Sequence, residues 1–335
     1  MPKPPNQLTT MPPAADTKVF ARIAAQIALP RIIADAGETA SRRFLEFFAA
    51  TIRNKNTRMA YYRAVCQFFA WCDHYKLGGI EDIEPLHVAA YIEQQLASYE
   101  KPTVKQHLAA IRMLFDWLVI GQVIAVNPAT SVRGPKHVVK RGKTTVLTGE
   151  QARELLDSID VSTLVGLRDR ALISVMTFAF ARVSAVVAMR VEDYYPQGKR
   201  WWVRLHEKGG KRHDMPAHHN LEAYLDAYID AAGLRDGGKT PLFRTAAGRT
   251  GTLTETAMNR VDAWRMVQRR AAEIGSKINV GCHTFRATGI TAYLEAGGSL
   301  ENAQAMAAHE SPRTTKLYDL TGDEITLDEV ERISI

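Results

Sequence analysis

From Trp117 to Gly149 the chain carries no Asp or Glu, while Arg133, Lys136, Lys140, Arg141 and Lys143 all fall in that stretch. Asn127-Pro128, Gly134-Pro135 and Gly142 interrupt regular structure there. A segment of one charge sign, broken in this way, has little to bury. The apolar patterns on either side must therefore close separate cores, and 335 residues suffice for two. The expected division is a flexible extension over residues 1–36, a helical domain over 37–130, a basic linker over 131–146 and a second domain over 147–335.

The first half reads as helix throughout. Residues 1–16 hold five prolines and little to bury, and are expected to be disordered. "VFARIAAQIALPRII" suggests a short helix stopping near Pro30. In "SRRFLEFFAATIR", Phe44, Phe47, Phe48 and Ile52 share one face at helical spacing. "NTRMAYYRAVCQFFAWCDHY" continues that pattern, with Tyr61, Val65, Phe68 and Trp71 or Cys72 pointing inward. "DIEPLHVAAYIEQQL" makes another helix, and "KPTVKQHLAAIRMLFDWLV" carries the stripe Val104, Leu108, Ile111, Phe115 and Leu118. So many helices in about 90 residues make a small all-α domain. On the last helix Lys101, Lys105 and Arg112 lie along one edge. Such an edge is ordinarily a solvated face; beside a basic linker it also suits a phosphate backbone.

Order resumes at "TGEQARELL", a capping box with Thr148 as N-cap and Gln151 at N3. "LRDRALISVMTFAFARVSAVVAMR" is apolar and helical, broken around Arg182. "RWWVRLHE" and "KRHDMPAH", separated by "KGG", read as the only clear strands. Helical patterns follow to the C-terminal region. The fold class is mainly α with a small antiparallel sheet: an α-helical N-terminal domain and a mixed α+β second domain.

Composition narrows the partners. Lys plus Arg is 43 against 36 Asp plus Glu, a net charge of +7, and the pI is near 9.3. A polyanion is a more natural partner than an acidic protein. Cys66, Cys72 and Cys282 form no CxxC pair, and an odd count does not suit a disulfide scaffold. No apolar run reaches the roughly 20 residues of a membrane span. A proline-rich, polar N-terminus does not resemble a secretory leader. The expectation is a cytoplasmic protein with no membrane partner.

Several residues point to chemistry on an anion. His283 and Arg286 in "HTFR" stand three apart at a helix start, where free N–H groups favour negative charge. His309 closes one helix; Ser311-Pro312 starts another, and Tyr318 follows nine residues after His309. Arg182 is a lone guanidinium between apolar segments and needs a partner. Lys208 sits in "EKGGK" at the tip of the expected hairpin, where glycines allow close approach to a backbone. Singly, each has a bland reading: a salt bridge, an exposed lysine, a packed aromatic.

In this order and spacing, Arg182, Lys208, His283, Arg286, His309 and Tyr318 resemble the tyrosine recombinase (phage integrase) family. The motifs are "ARVS", "EKGGKR", "HTFR", "AHESPRTTKLY" and "NTRMAYYRAVCQFFAWC", and the resemblance covers residues 37–335. It implies a helical core-binding domain and a catalytic domain. Tyr318 would attack a scissile phosphodiester and become joined to the 3′-phosphate. Arg182 and Arg286 would clamp the non-bridging oxygens, and Lys208 would protonate the leaving 5′-oxygen. His283 would serve as base or proton relay, and His309 would donate a hydrogen bond to the phosphate. No metal or other cofactor is implied. The implied partners are double-stranded DNA with specific recombination sites and a homo-tetramer on DNA that exchanges C-terminal helices, with room for accessory DNA-bending proteins. The linker cations and Lys101, Lys105 and Arg112 would touch DNA.

Two positions depart from the family pattern. Ala185 stands where a carboxylate usually orients the first arginine, leaving that task to Glu192 or Asp193. Ala308 replaces a glycine before the second histidine, which suits alanine if that residue is helical. A non-catalytic DNA-binding relative and a type IB topoisomerase-like enzyme stay open as alternatives. In the tail, Thr326 and Glu329 match a capping box, with Leu327, Val330 and Ile333 as the apolar groups of a short docking helix.

Overall fold

The computed structural model describes residues 28–137, 139, 142–207, 210–248, 250–276 and 278–319. The chain forms two compact units, divided between Val138 and Val139. Of the extension expected over residues 1–36, residues 1–27 lie outside the described residues, as do Lys140, Arg141, Lys208 and the expected tail helix beyond Asp319. Residues 31–35 are not a flexible extension but helical, because Ile32 and Ile33 are buried in the first core.

The first unit is helical: α1 (Arg31–Asp35), α2 (Glu38–Glu46) with a π-helical turn Phe47–Thr51, α3 (Lys55–His74), α4 (Pro85–Ser98) and α5 (Lys101–Ile120). Pro30 precedes α1, where its fixed φ and missing N–H suit the position before a first turn; the helix expected to stop near it falls on residues outside those described. α2 and α3 are separate, since Asn54 accepts from the amides of Asn56 and Thr57 and starts α3 afresh. Phe44, Phe47, Phe48 and Ile52 are buried together with Val65, Phe68 and Cys72. Cys72 rather than Trp71 takes the fully buried position. The stripe Val104, Leu108, Ile111, Phe115 and Leu118 is buried along α5. Lys101, Lys105, Arg133 and Lys136 are exposed. Arg112 is spent differently: its Nε donates to the Ala129 carbonyl at 3.0 Å and one Nη to that of Val132. It clasps the start of the basic stretch to α5.

The second unit contains α6 (Gly149–Asp157), α7 (Leu164–Phe178), α8 (Val183–Val186), β1 (Tyr194–Gln197), β2 (Arg200–His206), β3 (Arg212–Pro216), α9 (His219–Ala231), β4 (Arg244–Ala246), β5 (Leu253–Ala257), α10 (Arg260–Glu273), α11 (Cys282–Glu295), α12 (Leu300–Met306) and α13 (Pro312–Lys316). Thr148 and Gln151 cap α6 reciprocally, at 3.0 and 3.1 Å. β1, β2 and β3 form an antiparallel sheet in that order, with Val203 opposite Tyr194 and Met215, and Leu205 opposite His213. β4 and β5 make a second, two-stranded sheet. β1, β4 and β5 add to the two strands expected from sequence. α7 is buried along most of its length. α11 packs on it closely at Gly289, where an added Cβ would lie 1.9 Å from the Thr177 carbonyl oxygen.

Candidate active site

α7 ends at Phe178, and the chain then turns through Phe180 at φ +47° before Arg182 starts α8. A bulky residue in this left-handed region carries about 1–3 kcal/mol of strain. The turn aims the Phe180 carbonyl at Arg286, which donates to it through one Nη; the other Nη donates to the Ala307 carbonyl at 2.6 Å. Arg286 is wholly buried, and its Nε meets no hydrogen-bond partner among the described residues. Burial, and next the charge of Arg182, lower its pKa to about 10. A buried guanidinium held by backbone carbonyls, with a second cation nearby, favours an anion between them.

Arg182 has a carboxylate, but not one of those expected. Its Nη1 donates to Glu207, whose side chain is 4% exposed. Glu192 pairs with Arg190, and Asp193 caps the turn at the Arg190 amide with His206 at 3.4 Å. Glu207 follows β2 directly, so the hairpin that orients Arg182 is the one that carries Lys208. Ala185 is buried in α8, on a site that packs rather than pairs. Glu207→Gln keeps the shape and loses the charge. It should slow catalysis about tenfold, the worth of one charge-assisted hydrogen bond. Single-turnover rates at saturating substrate measure this, and an unchanged rate rejects the orienting role.

On the other side of the hairpin, His213 Nε2 lies 3.1 Å from the Met306 carbonyl, and Lys211 lies 3.3 Å from Glu310. These contacts tie the hairpin to the turn after α12. There the Ala308 amide donates to Ala305 and the His309 amide to Gln304, the two bonds of a Schellman motif. Ala308 is its left-handed residue, at φ +47°, not a helical one. Alanine pays about 1–2 kcal/mol there, and glycine does not. Ala308→Gly should raise stability by about 1 kcal/mol after the entropy of the freer unfolded chain is offset. Urea denaturation checks it: a neutral or destabilising result would reject the strained turn.

Tyr318 lies against these groups. Its hydroxyl is 2.6 Å from His283 Nε2, and its ring is parallel to that of His309, at 5.9 Å and 9°. Its backbone is held throughout: the amide donates to Thr315, the carbonyl accepts from Thr291 at 3.0 Å, and the preceding Leu317 carbonyl accepts from Gly142 at 3.0 Å. Burial raises the phenol pKa, opposed by Arg286 and Arg182. Burial and the same cations lower that of His283. His283 is thus neutral near pH 7, and its Nε2 can take the phenolic proton. Cys282 is packed at the start of α11, and burial raises its thiol to about 11, so it is no nucleophile.

Arg182, His283, Arg286, His309 and Tyr318 therefore meet in one place, from α8, α11, the turn after α12 and the end of α13. The phage integrase family matches residues 145–322, and its N-terminal SAM-like domain matches residues 42–123. The chain belongs to the phage integrase family. It is a tyrosine recombinase, a DNA strand-transfer enzyme. It is 31% identical over 218 residues to tyrosine recombinase XerC of Escherichia coli O127:H6 (strain E2348/69 / EPEC), which is 63% of this chain and 67% of that protein. The fold is similar to XerH bound to a palindromic difH substrate after cleavage, with TM-score 0.64, 15% identity and 94% and 92% of the two chains covered. It is similar also to a lambda integrase tetramer on a Holliday junction, with TM-score 0.62, 16% identity and 93% and 88% covered.

Sequence reasoning on this recombinase did not find Glu207, Gln304, Thr315 or His213. Gln304 Nε2 donates to the His309 carbonyl at 3.1 Å, closing the turn from within.

Proposed function

We propose that this recombinase binds duplex DNA at a specific site and cuts and rejoins its strands through a 3′-phosphotyrosyl intermediate, exchanging strands between two sites by way of a Holliday junction. The observation that carries the reading is the Tyr318 hydroxyl, 2.6 Å from a neutral imidazole and beside two guanidiniums.

The Tyr318 oxygen attacks the phosphorus and passes its proton to His283 Nε2. Arg182 and Arg286 hold the non-bridging oxygens and offset the charge that grows on them. The bond to the 5′-oxygen breaks, and that oxygen takes a proton from Lys208. The new phosphotyrosine keeps the energy of the phosphodiester, so a 5′-hydroxyl from a second duplex can reverse the step without a nucleotide cofactor. The exposed Lys101, Lys105, Arg133, Lys136 and Lys143, with Lys140 and Arg141, are assigned to phosphate contacts. The active assembly is proposed to be a tetramer on DNA. A cavity of about 610 Å³ in the second unit, lined by Ala152, Leu156, Phe178, Tyr293 and Met306, is a fitting seat for Leu327, Val330 and Ile333 of a neighbouring copy.

The test begins by sequencing the DNA footprint that the purified protein protects. A duplex with that site and a nick beside the scissile phosphate should trap an SDS-stable protein–DNA adduct through a 3′-phosphate. A protein that binds the site and forms no adduct would be a binder only. Relaxation of a supercoiled plasmid without exchange between two sites would indicate a topoisomerase.

A further inference from the structure

Thr315 is fully buried in α13, and its hydroxyl lies 2.9 Å from His309 Nδ1, its one hydrogen-bond partner among the described residues. A neutral imidazole has one N–H, so this contact can run in either direction. If Nδ1–H donated, the proton of the buried threonine would have no acceptor among the described residues, which is unfavourable. The bond therefore runs from threonine to histidine. Nδ1 then accepts, and the single ring proton must sit on Nε2.

Burial first, then the charges of Arg286 and Arg182, hold the His309 pKa down to about 3, so the ring is neutral at working pH. A neutral histidine can donate to a phosphate oxygen only through the nitrogen that carries the proton. We propose that Thr315 is a positioning residue, whose hydroxyl locks His309 as the Nε2–H tautomer and holds its plane parallel to the Tyr318 ring. The same residue receives the Tyr318 amide on its carbonyl at 2.9 Å. One side chain and its own backbone thus set the phosphate donor and the nucleophile together. This inference rests on the recombinase reading of the site.

The test uses the full chain with its DNA site. Thr315→Val keeps the shape and removes the donor; Thr315→Ser restores it. Thr315→Val should slow single-turnover cleavage about tenfold or more, since a buried polar atom loses its partner at the reacting centre. DNA affinity should stay within about twofold, because binding is spread over many phosphates. Thr315→Ser should cleave near the wild-type rate. Histidine ring ¹⁵N spectra, with His309 assigned by its loss in His309→Gln, should show a protonated Nε2 and a hydrogen-bonded, unprotonated Nδ1. In Thr315→Val the Nδ1 signal should move to an unbonded position. A proton on Nδ1 in the wild type, wild-type cleavage by Thr315→Val, or equal slowing in Thr315→Ser would each overturn the proposal. Should Thr315→Val fail to fold, the wild-type tautomer decides the matter. Absence of any covalent adduct from the wild type would instead refute the recombinase reading, and the spectra would still report the tautomer.

Discussion

Tyr318→Phe is expected to abolish strand cleavage while leaving DNA affinity within about twofold. The substitution removes one oxygen. The ring keeps its place in the buried cluster that includes Phe180, Ala287, Ile290 and Leu294, and its parallel contact with His309. His283 Nε2 loses its partner, a loss of about 1 kcal/mol that the fold can absorb. A nicked suicide duplex and a denaturing gel measure the result. An SDS-stable adduct from the Phe variant would remove Tyr318 from its role. The wild type should also show a pH signature. His283 accepts a proton only when neutral, and burial sets its pKa below the ordinary 6.5. The cleavage rate should therefore hold down through pH 6.5 and fall only below it. A fall beginning near pH 8 would point to a different base.

Much of this arrangement is legible in the sequence, because two kinds of signal are strong. A buried helix face repeats every three or four residues, so Val104 to Leu118 could be read at once. Six functional residues in a fixed order carry more information together than any one of them, so His283, Arg286, His309 and Tyr318 could be named without coordinates. What could not be read depends on register and turn geometry. Glu207 reaches Arg182 across 25 residues because the hairpin places it there, and no local pattern reports that. β4 has three residues, and β1 contains Pro196; strands so short are defined by pairing rather than by alternation. The left-handed turn at position 308 is usually signalled by glycine, and Ala308 hides it. Arg112 on its helix edge resembles Lys105 in sequence, and only the following carbonyls of Ala129 and Val132 tell the two apart.

Asp169, in "LRDRAL", is another residue that sequence inspection passes over, and its loss should strongly destabilise the second unit. It is fully buried, and Arg168 and Arg270 beside it are 4% and 8% exposed. Arg168 donates to Oδ1 through Nε and Nη2 at 3.0 and 2.6 Å, and its Nη1 donates to the Arg244 carbonyl at 2.8 Å. Arg270 donates twice to Oδ2, at 3.1 and 2.8 Å, and Arg269 once at 3.0 Å. One carboxylate thus joins α7, α10 and the start of β4. Asp169→Asn keeps the volume but leaves two buried guanidiniums without their shared counter-charge. Breaking a buried pair from one side costs about 3–5 kcal/mol. That is a large fraction of the roughly 5–15 kcal/mol that holds a domain folded. Because α7 leads into the Phe180 turn and Arg182, cleavage should fall with stability. Peptide-resolved hydrogen exchange on the full chain can separate the two units. Protection should drop across α7, α10 and α11 while α3 and α5 keep theirs. If Asp169→Asn loses less than about 1 kcal/mol, the arginines find other partners and the carboxylate is not the joint that its contacts make it.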